Sequence, residues 1–419
     1  MLKLLSLSVL LSITIPAFSD TLTIHTCIEK ALEKNRTSEK RSYISSAAVL
    51  TEKSIDNAAL PSLNLIGQAS YQSDVVEFPS IPSMEFPQIP KEQARLYLDL
   101  NYPIYTGGRQ GLQKEVIKRR TEGQILETEV SEQQTKEIVS RLYFSAALAQ
   151  KKIVLLQKTL EDVERQRKLV KSGVENGVML PNDYDRFSLM IISLQQEITG
   201  AEYDRKKVNA LLGDWTGLAI DGRTLELPGE TSTESGFEAR PEVKLLENRA
   251  AMLDAASEAE KAGRRPVLAL FAQGGVGRPN PFNFFETGFS PYYIAGLRLQ
   301  WRLLDYGNIN RTASINSFQK NNLQINKQNL ENNLRRKELE KNTDIEKHQA
   351  LLQGDLEAIA LQENIVRRSK TQFEHGTLNA SDYLNEQSKL IQLKLKYELN
   401  QVMLAQGRFE RELNFGGGQ

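Results

Sequence analysis

The chain has 419 residues, enough for one large or two to three ordinary domains. Lys plus Arg and Asp plus Glu each total 53, so nothing global argues for nucleic acid or a strongly acidic partner. Cys27 is the only cysteine, which excludes an intrachain disulfide and a cysteine-cluster metal site.

Residues 1–19 read as a secretory signal peptide. Lys3 is its charged start, Leu4 to Pro16 its short apolar run, and Ala17-Phe18-Ser19 its cleavage site before Asp20. The run is short for a membrane span, and no other stretch approaches one. The exported chain is then either soluble or held in a membrane by β-strands.

A helix is predicted from Thr26 to about Ala59, ended by Pro61. Leu63, Leu65, Gly67, Ala69 and Tyr71 then alternate with Asn64, Ile66, Gln68 and Ser70 as in a strand. Val75 to Gln93, with Pro79, Pro82, Pro87 and Pro90, reads as a loop. Leu96, Leu98, Leu100, Tyr102 and Ile104 mark the clearest strand, with Tyr97, Asp99 and Asn101 on its other face. From about Gly108 to Asn176 the chain lacks proline and predicts one very long helix, which at 1.5 Å per residue would reach about 100 Å. A tight turn at Asn176-Gly177 follows, then a helix from Asp183 to about Leu212 with apolar residues Tyr184, Ile191, Ile198 and Leu212 on a seven-residue step that Arg205 breaks.

Residues 213–238 form a Gly-, Thr- and Ser-rich connector between a first repeat, 20–212, and a second, 239–419. The second repeats the same programme. A helix ends before Pro266. Strands carry Leu268, Leu270 and Ala272, then Leu297, Leu299, Trp301 and Leu303. A long helix carries Ile345, Leu352, Ile359, Val366 and Phe373. A turn at His375-Gly376 leads to a last helix with Tyr383, Leu390, Tyr397 and Leu404. Leu98 and Leu297, Tyr102 and Trp301, Gly177 and Gly376, and Tyr184 and Tyr383 all lie 199 residues apart. Pro61 and Pro266, and Leu63 and Leu268, lie 205 apart, with the difference absorbed by the longer first loop. The pattern reads as an internal duplication. At each turn the glycine supplies a left-handed residue, and Asn182 or Ser381 is placed to cap the next helix.

Strands of about ten residues can cross a bilayer when tilted. Four strands in lipid would leave open edges, so several chains must close one barrel together. No other chemistry is legible. His25, His348 and His375 share no metal-ligand spacing, Gly274-Gly275-Val276-Gly277 is no nucleotide fingerprint, and no phosphate loop is present. No catalytic residue, cofactor or metal is expected, and no nucleic acid partner.

The junction Tyr102-Pro103-Ile104-Tyr105-Thr106-Gly107-Gly108-Arg109, the segment Leu60-Pro61-Ser62-Leu63 and the two Gly…Asp turns resemble those of the TolC-like outer-membrane efflux proteins (outer membrane factors). The resemblance covers nearly the whole mature chain. It departs at Asp305-Tyr306-Gly307-Asn308, where one junction glycine is lost. The resemblance implies a mixed α+β membrane protein. In it a trimeric 12-stranded β-barrel, four strands per chain, is continued by a long α-helical coiled-coil barrel. It implies the cell outer membrane, with the helical part in the periplasm. The partners it implies are two further copies in a homotrimer, a periplasmic adaptor (membrane fusion) protein, an inner-membrane transporter and outer-membrane lipid. The function implied is the exit duct of a tripartite efflux or type I secretion system. By motif match, Asp382 and the position of Asn385 would line a closing aperture, with Asp183 the equivalent in the first half. Gly177, Val178, Met179 and Leu180, with Gly376, Thr377, Leu378 and Asn379, would be adaptor-docking tips. The alternative is a soluble periplasmic coiled-coil scaffold.

Overall fold

The structure, a computed structural model, describes residues 21–77, 86–229, 236–283 and 285–415. The signal segment and the loop residues Pro79 and Pro82 lie outside them. The elements in chain order are β1 (Thr21–Leu22), α1 (Ile24–Lys34), α2 (Thr37–Asn57), β2 (Ser62–Tyr71), β3 (Glu92–Tyr105), α3 (Arg109–Glu175), α4 (Pro181–Thr216), β4 (Thr224–Leu225), α5 (Pro241–Lys261), β5 (Val267–Arg278), β6 (Ser290–Gln300), α6 (Asn308–Glu374) and α7 (Ala380–Asn414). The two longest helices each have 67 residues. The described residues divide into two compact units, each assembled from separated stretches of chain: those within 38–130 and 240–332, and those within 1–37, 131–239 and 333–419.

The first unit holds a four-stranded antiparallel sheet in the order β2-β3-β5-β6. The predicted alternation of faces is what the strands show. The last strand differs from expectation: it begins at Ser290 and stops at Gln300, before Trp301 and Leu303. Its neighbour β5 starts at Val267, directly after Pro266, so no partner strand extends far enough to pair with Trp301. The Trp301 indole N–H donates instead to the Arg264 carbonyl at 2.9 Å. Gly275 is required by close approach, because a Cβ there would collide with the Leu96 carbonyl and the Tyr97 Cα of β3. Helix α2 belongs to the same unit and buries none of its residues.

The predicted single N-terminal helix is two. Asn35 ends α1 and Arg36 adopts φ 53°, a left-handed conformation that breaks the hydrogen-bond ladder. The break separates residues with different fates: α1 buries Ile24, Cys27, Ile28 and Ala31, whereas α2 stays exposed.

The second unit contains two apolar cores. In one, α1, α3, α4 and α7 enclose Cys27, Tyr143, Phe144, Leu212 and Phe409. The connector takes part in it. β4 pairs in parallel with β1, and Ile220 and Leu225 are buried there. The Tyr143 hydroxyl lies 2.6 Å from both the Leu22 and Glu226 carbonyls, so its single proton ties the two short strands to α3. The other core lies beside the two interhelical turns.

Candidate channel wall and hairpin tips

Strand register assigns every residue of the sheet to a face. One face carries the rows Leu63–Leu100–Ala272–Ala295, Leu65–Leu98–Gly274–Tyr293 and Gly67–Leu96–Val276–Pro291. Their large side chains on β2 are bare: Leu63 is 63% and Leu65 68% exposed. A register shift between Pro103 and Tyr105 re-aims Tyr105 into the row of Leu268 and Leu299. With Tyr102 and Trp301, it puts aromatic side chains at one end of this apolar face. Tyr71, at the far end of β2, marks the other. The opposite face is mostly polar, with Ile66, Phe271 and Ile294 as its large aliphatic and phenyl side chains. It carries Asn64, Asp99 and Gln273 in one row, with the Gln273 amide donating to the Asp99 carboxylate at 2.8 Å. Arg95 donates to the Gln68 side-chain carbonyl.

At the strand-to-helix junction after β6, the departure from the expected Gly-Gly-Arg pattern keeps a turn. Tyr306 and Gly307 both have positive φ. The Asp305 carboxylate accepts from the Gly307 and Ile309 backbone N–H groups and pairs with Arg264. The two backbone bonds hold its pKa below the usual carboxylate range.

The two interhelical turns are built alike. Gly177 and Gly376 adopt φ 75° and 72° with open space around them, so conformation and not crowding demands glycine. In the first, the Val178 and Met179 N–H groups close onto the Gly173 carbonyl at 2.9 and 3.2 Å. In the second, Thr377 and Leu378 close onto Gln372 at 2.9 and 3.2 Å. The caps differ from expectation. The N-cap positions are Leu180 and Asn379, not Asn182 and Ser381, because each helix starts earlier, at Pro181 and Ala380. The Asp183 carboxylate accepts from the Leu180 N–H at 3.2 Å. Asn379 accepts from the Asp382 N–H at 2.9 Å and donates its amide to the Asp382 carboxylate at 2.9 Å.

Both turns rest on one core. Phe187 of α4, Phe373 of α6 and Tyr383 of α7 pack with ring centroids 5.7 to 6.1 Å apart. Met179 and Leu378 pack inward against it, while Val178 and Leu180 point out, 77% and 67% exposed. Thr377 and Asn379 are exposed at the second turn. Asp382 and Asn385 are exposed on α7, and Asp183 is half-buried.

The two hairpins are joined by different chemistry, which the sequence reading missed. Leu156, Val163 and Val170 of α3 are buried beside Phe187, Ile191, Leu194 and Ile198 of α4. The positions 199 residues on, Asp355, Gln362 and Ser369, are also buried. There Asp355 accepts from the Asn400 amide and pairs with Lys396 at 3.3 Å. The His348 Nδ1 meets the Asn400 side-chain oxygen at 2.9 Å, and Gln362 donates to the Glu386 carboxylate at 2.7 Å. Lys341 pairs with Glu410 at 2.6 Å. The signal was there to find: Lys341, His348, Asp355, Gln362 and Ser369 repeat every seven residues.

Among the described residues no group of His, Cys, Asp and Glu could hold a metal ion, and no helix is long and apolar enough to cross a membrane.

A sheet with one bare apolar face and two long helical hairpins is what the resemblance to the outer-membrane efflux proteins implies for one chain. Residues 53–217 match the family model of the outer membrane efflux proteins, and the resemblance read from the sequence stands. The chain is similar in fold to CusC, whose structures describe transmembrane channel formation, at 13% identity and TM-score 0.75, covering 94% of this chain and 92% of that one. It is similar to the Campylobacter jejuni CmeC outer membrane channel at 13% identity and TM-score 0.72, covering 94% and 86%. The outer membrane protein VceC of Vibrio cholerae aligns at 15% identity and TM-score 0.73, covering 94% and 96%. The outer membrane efflux proteins that the family model describes are transport proteins, not enzymes. No curated protein matches the chain.

Proposed function

We propose that this chain is the outer-membrane exit channel of a tripartite efflux or type I secretion system, passing substrate from an inner-membrane pump through a periplasmic adaptor to the outside. The observation that carries the reading is the two-faced sheet. Its apolar face suits lipid, with aromatic side chains at the headgroup levels, and its polar face suits a water-filled lumen. The family match and the shared fold support the same reading.

The sheet also supports closure by copies of itself. β2 and β6 are its edges. With four antiparallel strands, the edge strands run in opposite directions, so β6 of one copy meets β2 of the next as a further antiparallel pair. Lipid tolerates no open edge. Three copies would make the twelve-stranded barrel that the resemblance implies, with the helical part in the periplasm. The equal lengths of α3 and α6, and their matching turns, support an inherited duplication. Val178, Leu180, Thr377 and Asn379 are the exposed candidates for adaptor docking, and three copies of Asp382 would ring the aperture, with Asn385 leaving that ring weakly charged.

Outer membranes extracted in detergent should yield a heat-modifiable trimer of the chain. A fully soluble monomer in the periplasmic fraction would refute the channel and favour a scaffold. For the aperture, Asp382→Ala should relieve cation block of single-channel conductance; unchanged block would remove Asp382 from that role.

A further inference from the structure

The polar face of the sheet carries charge in layers, and the layers do not cancel. Its strand residues include two arginines, Arg95 and Arg298, and one carboxylate, Asp99. Asp99 pairs with Gln273, Arg298 with Ala269 and Arg95 with Gly277. Each arginine is therefore four residues along β5 from the aspartate, about 14 Å. That exceeds the screening length of about 8 Å at physiological salt. Asp99 is also engaged by the Gln273 amide. Neither arginine has a carboxylate partner among the described residues.

Each arginine is instead held against the wall by an aromatic ring two residues away in register. The Arg298 guanidinium lies 4.9 Å above the Phe271 ring, and that ring lies over Gly296, where a Cβ would approach it to 3.0 Å. The Arg95 guanidinium lies 5.7 Å from the Tyr97 ring, with its N–H groups on the Gln68 carbonyl. Stacking on a ring fixes a guanidinium without neutralising it. We infer that Arg95 and Arg298 form two cationic layers on the lumen wall that favour the passage of anionic solutes. The inference rests on the channel reading, which turns this face toward the lumen. In a ring of copies each layer repeats, and rings of Arg set the selectivity of anion pores.

The test is the reversal potential of the assembled protein in planar bilayers under a potassium chloride gradient. Arg95→Gln and Arg298→Gln should each lower the chloride-to-potassium permeability ratio, by about two-fold or more, and the double variant further. Asp99→Asn, which keeps the shape, should raise it. Arg298→Lys should keep the unsubstituted ratio. Conductance with a reversal potential unmoved in both the double variant and Asp99→Asn overturns the inference alone. An assembled protein without any conductance overturns the channel reading and the inference with it.

Discussion

Val178 and Met179 are adjacent in sequence and opposite in role. Val178 is bare at the tip of the first hairpin, and Met179 packs on the core beneath it. Val178→Asp should leave trimer assembly intact while abolishing efflux, because it changes only the surface offered to an adaptor. Met179→Asp and Leu378→Asp should lower thermal stability and disturb the turns, because each would bury a charge. Efflux that survives Val178→Asp would remove the tip from docking. Cys27 offers another residue-scale expectation. Burial pushes its thiol up to about 12. A maleimide at pH 8 should leave the folded protein unlabelled and react after denaturation. At this scale the sequence was partly readable. The glycines declared the turns, since only their left-handed backbone fits there. The caps did not declare themselves: Leu180 offers no side-chain oxygen, and Asp183 reaches back three residues to satisfy its N–H.

The hairpin is the next scale, and the two hairpins are zipped differently. Leu156, Val163 and Val170 gain from leaving water, whereas Asp355, Gln362 and Glu386 trade hydration for hydrogen bonds. Net gains from such exchanges are small, about 0.5–1.5 kcal/mol per bond. Amide hydrogen exchange should therefore be faster along the middle of α6 and α7 than at the matching positions of α3 and α4. Equal protection would show the polar seam to be as firm as the apolar one. Asp355→Ala should destabilise the second hairpin by about 3 kcal/mol, through the Asn400 amide and Lys396 left without their partner. The seam should also respond to acid. Lys389 and Gln362 hold the Glu386 carboxyl below the ordinary glutamate range. Its contribution is thus complete above the unfolded-state value and is lost as pH falls through the folded one. Glu386→Gln should flatten that acid dependence in a thermal-unfolding series. Sequence periodicity showed where the long helices lie, because a seven-residue step survives any choice of residue. It read the seam at its ends, where Ile345 and Phe373 are buried, and misjudged the middle. Leu352, Ile359 and Val366 are only half-buried, and the polar residues three places on are the buried ones. An apolar search passes over them. The break at Arg36 was equally hidden, since arginine does not announce the left-handed backbone it adopts there.

For the whole molecule, the sheet was the most legible part. Period-two alternation fixes which face each side chain takes, and pairing register then aligns the faces across strands. The shift beside Ile104 was not legible, because a bulge depends on the neighbouring strand. The open edges of β2 and β6 lead to an expectation about the assembly. A lysine placed at mid-strand on the apolar face, Leu65→Lys, should cost about 2–4 kcal/mol in a lipid environment and reduce the trimer recovered from membranes. The same substitution in a soluble, water-facing sheet would be harmless.

That bare face also bears on the life of the chain before it is assembled. On the proposed channel reading, a single copy between export and insertion would present a hydrophobic sheet and two strands ready to accept any partner, the combination that seeds aggregation. The sheet should therefore stay unformed, or be held by a chaperone, until lipid and sister copies arrive together. Folding, insertion and trimer closure then become one concentration-dependent event, and overproduction without matching insertion capacity should yield insoluble protein, not a pool of waiting monomers.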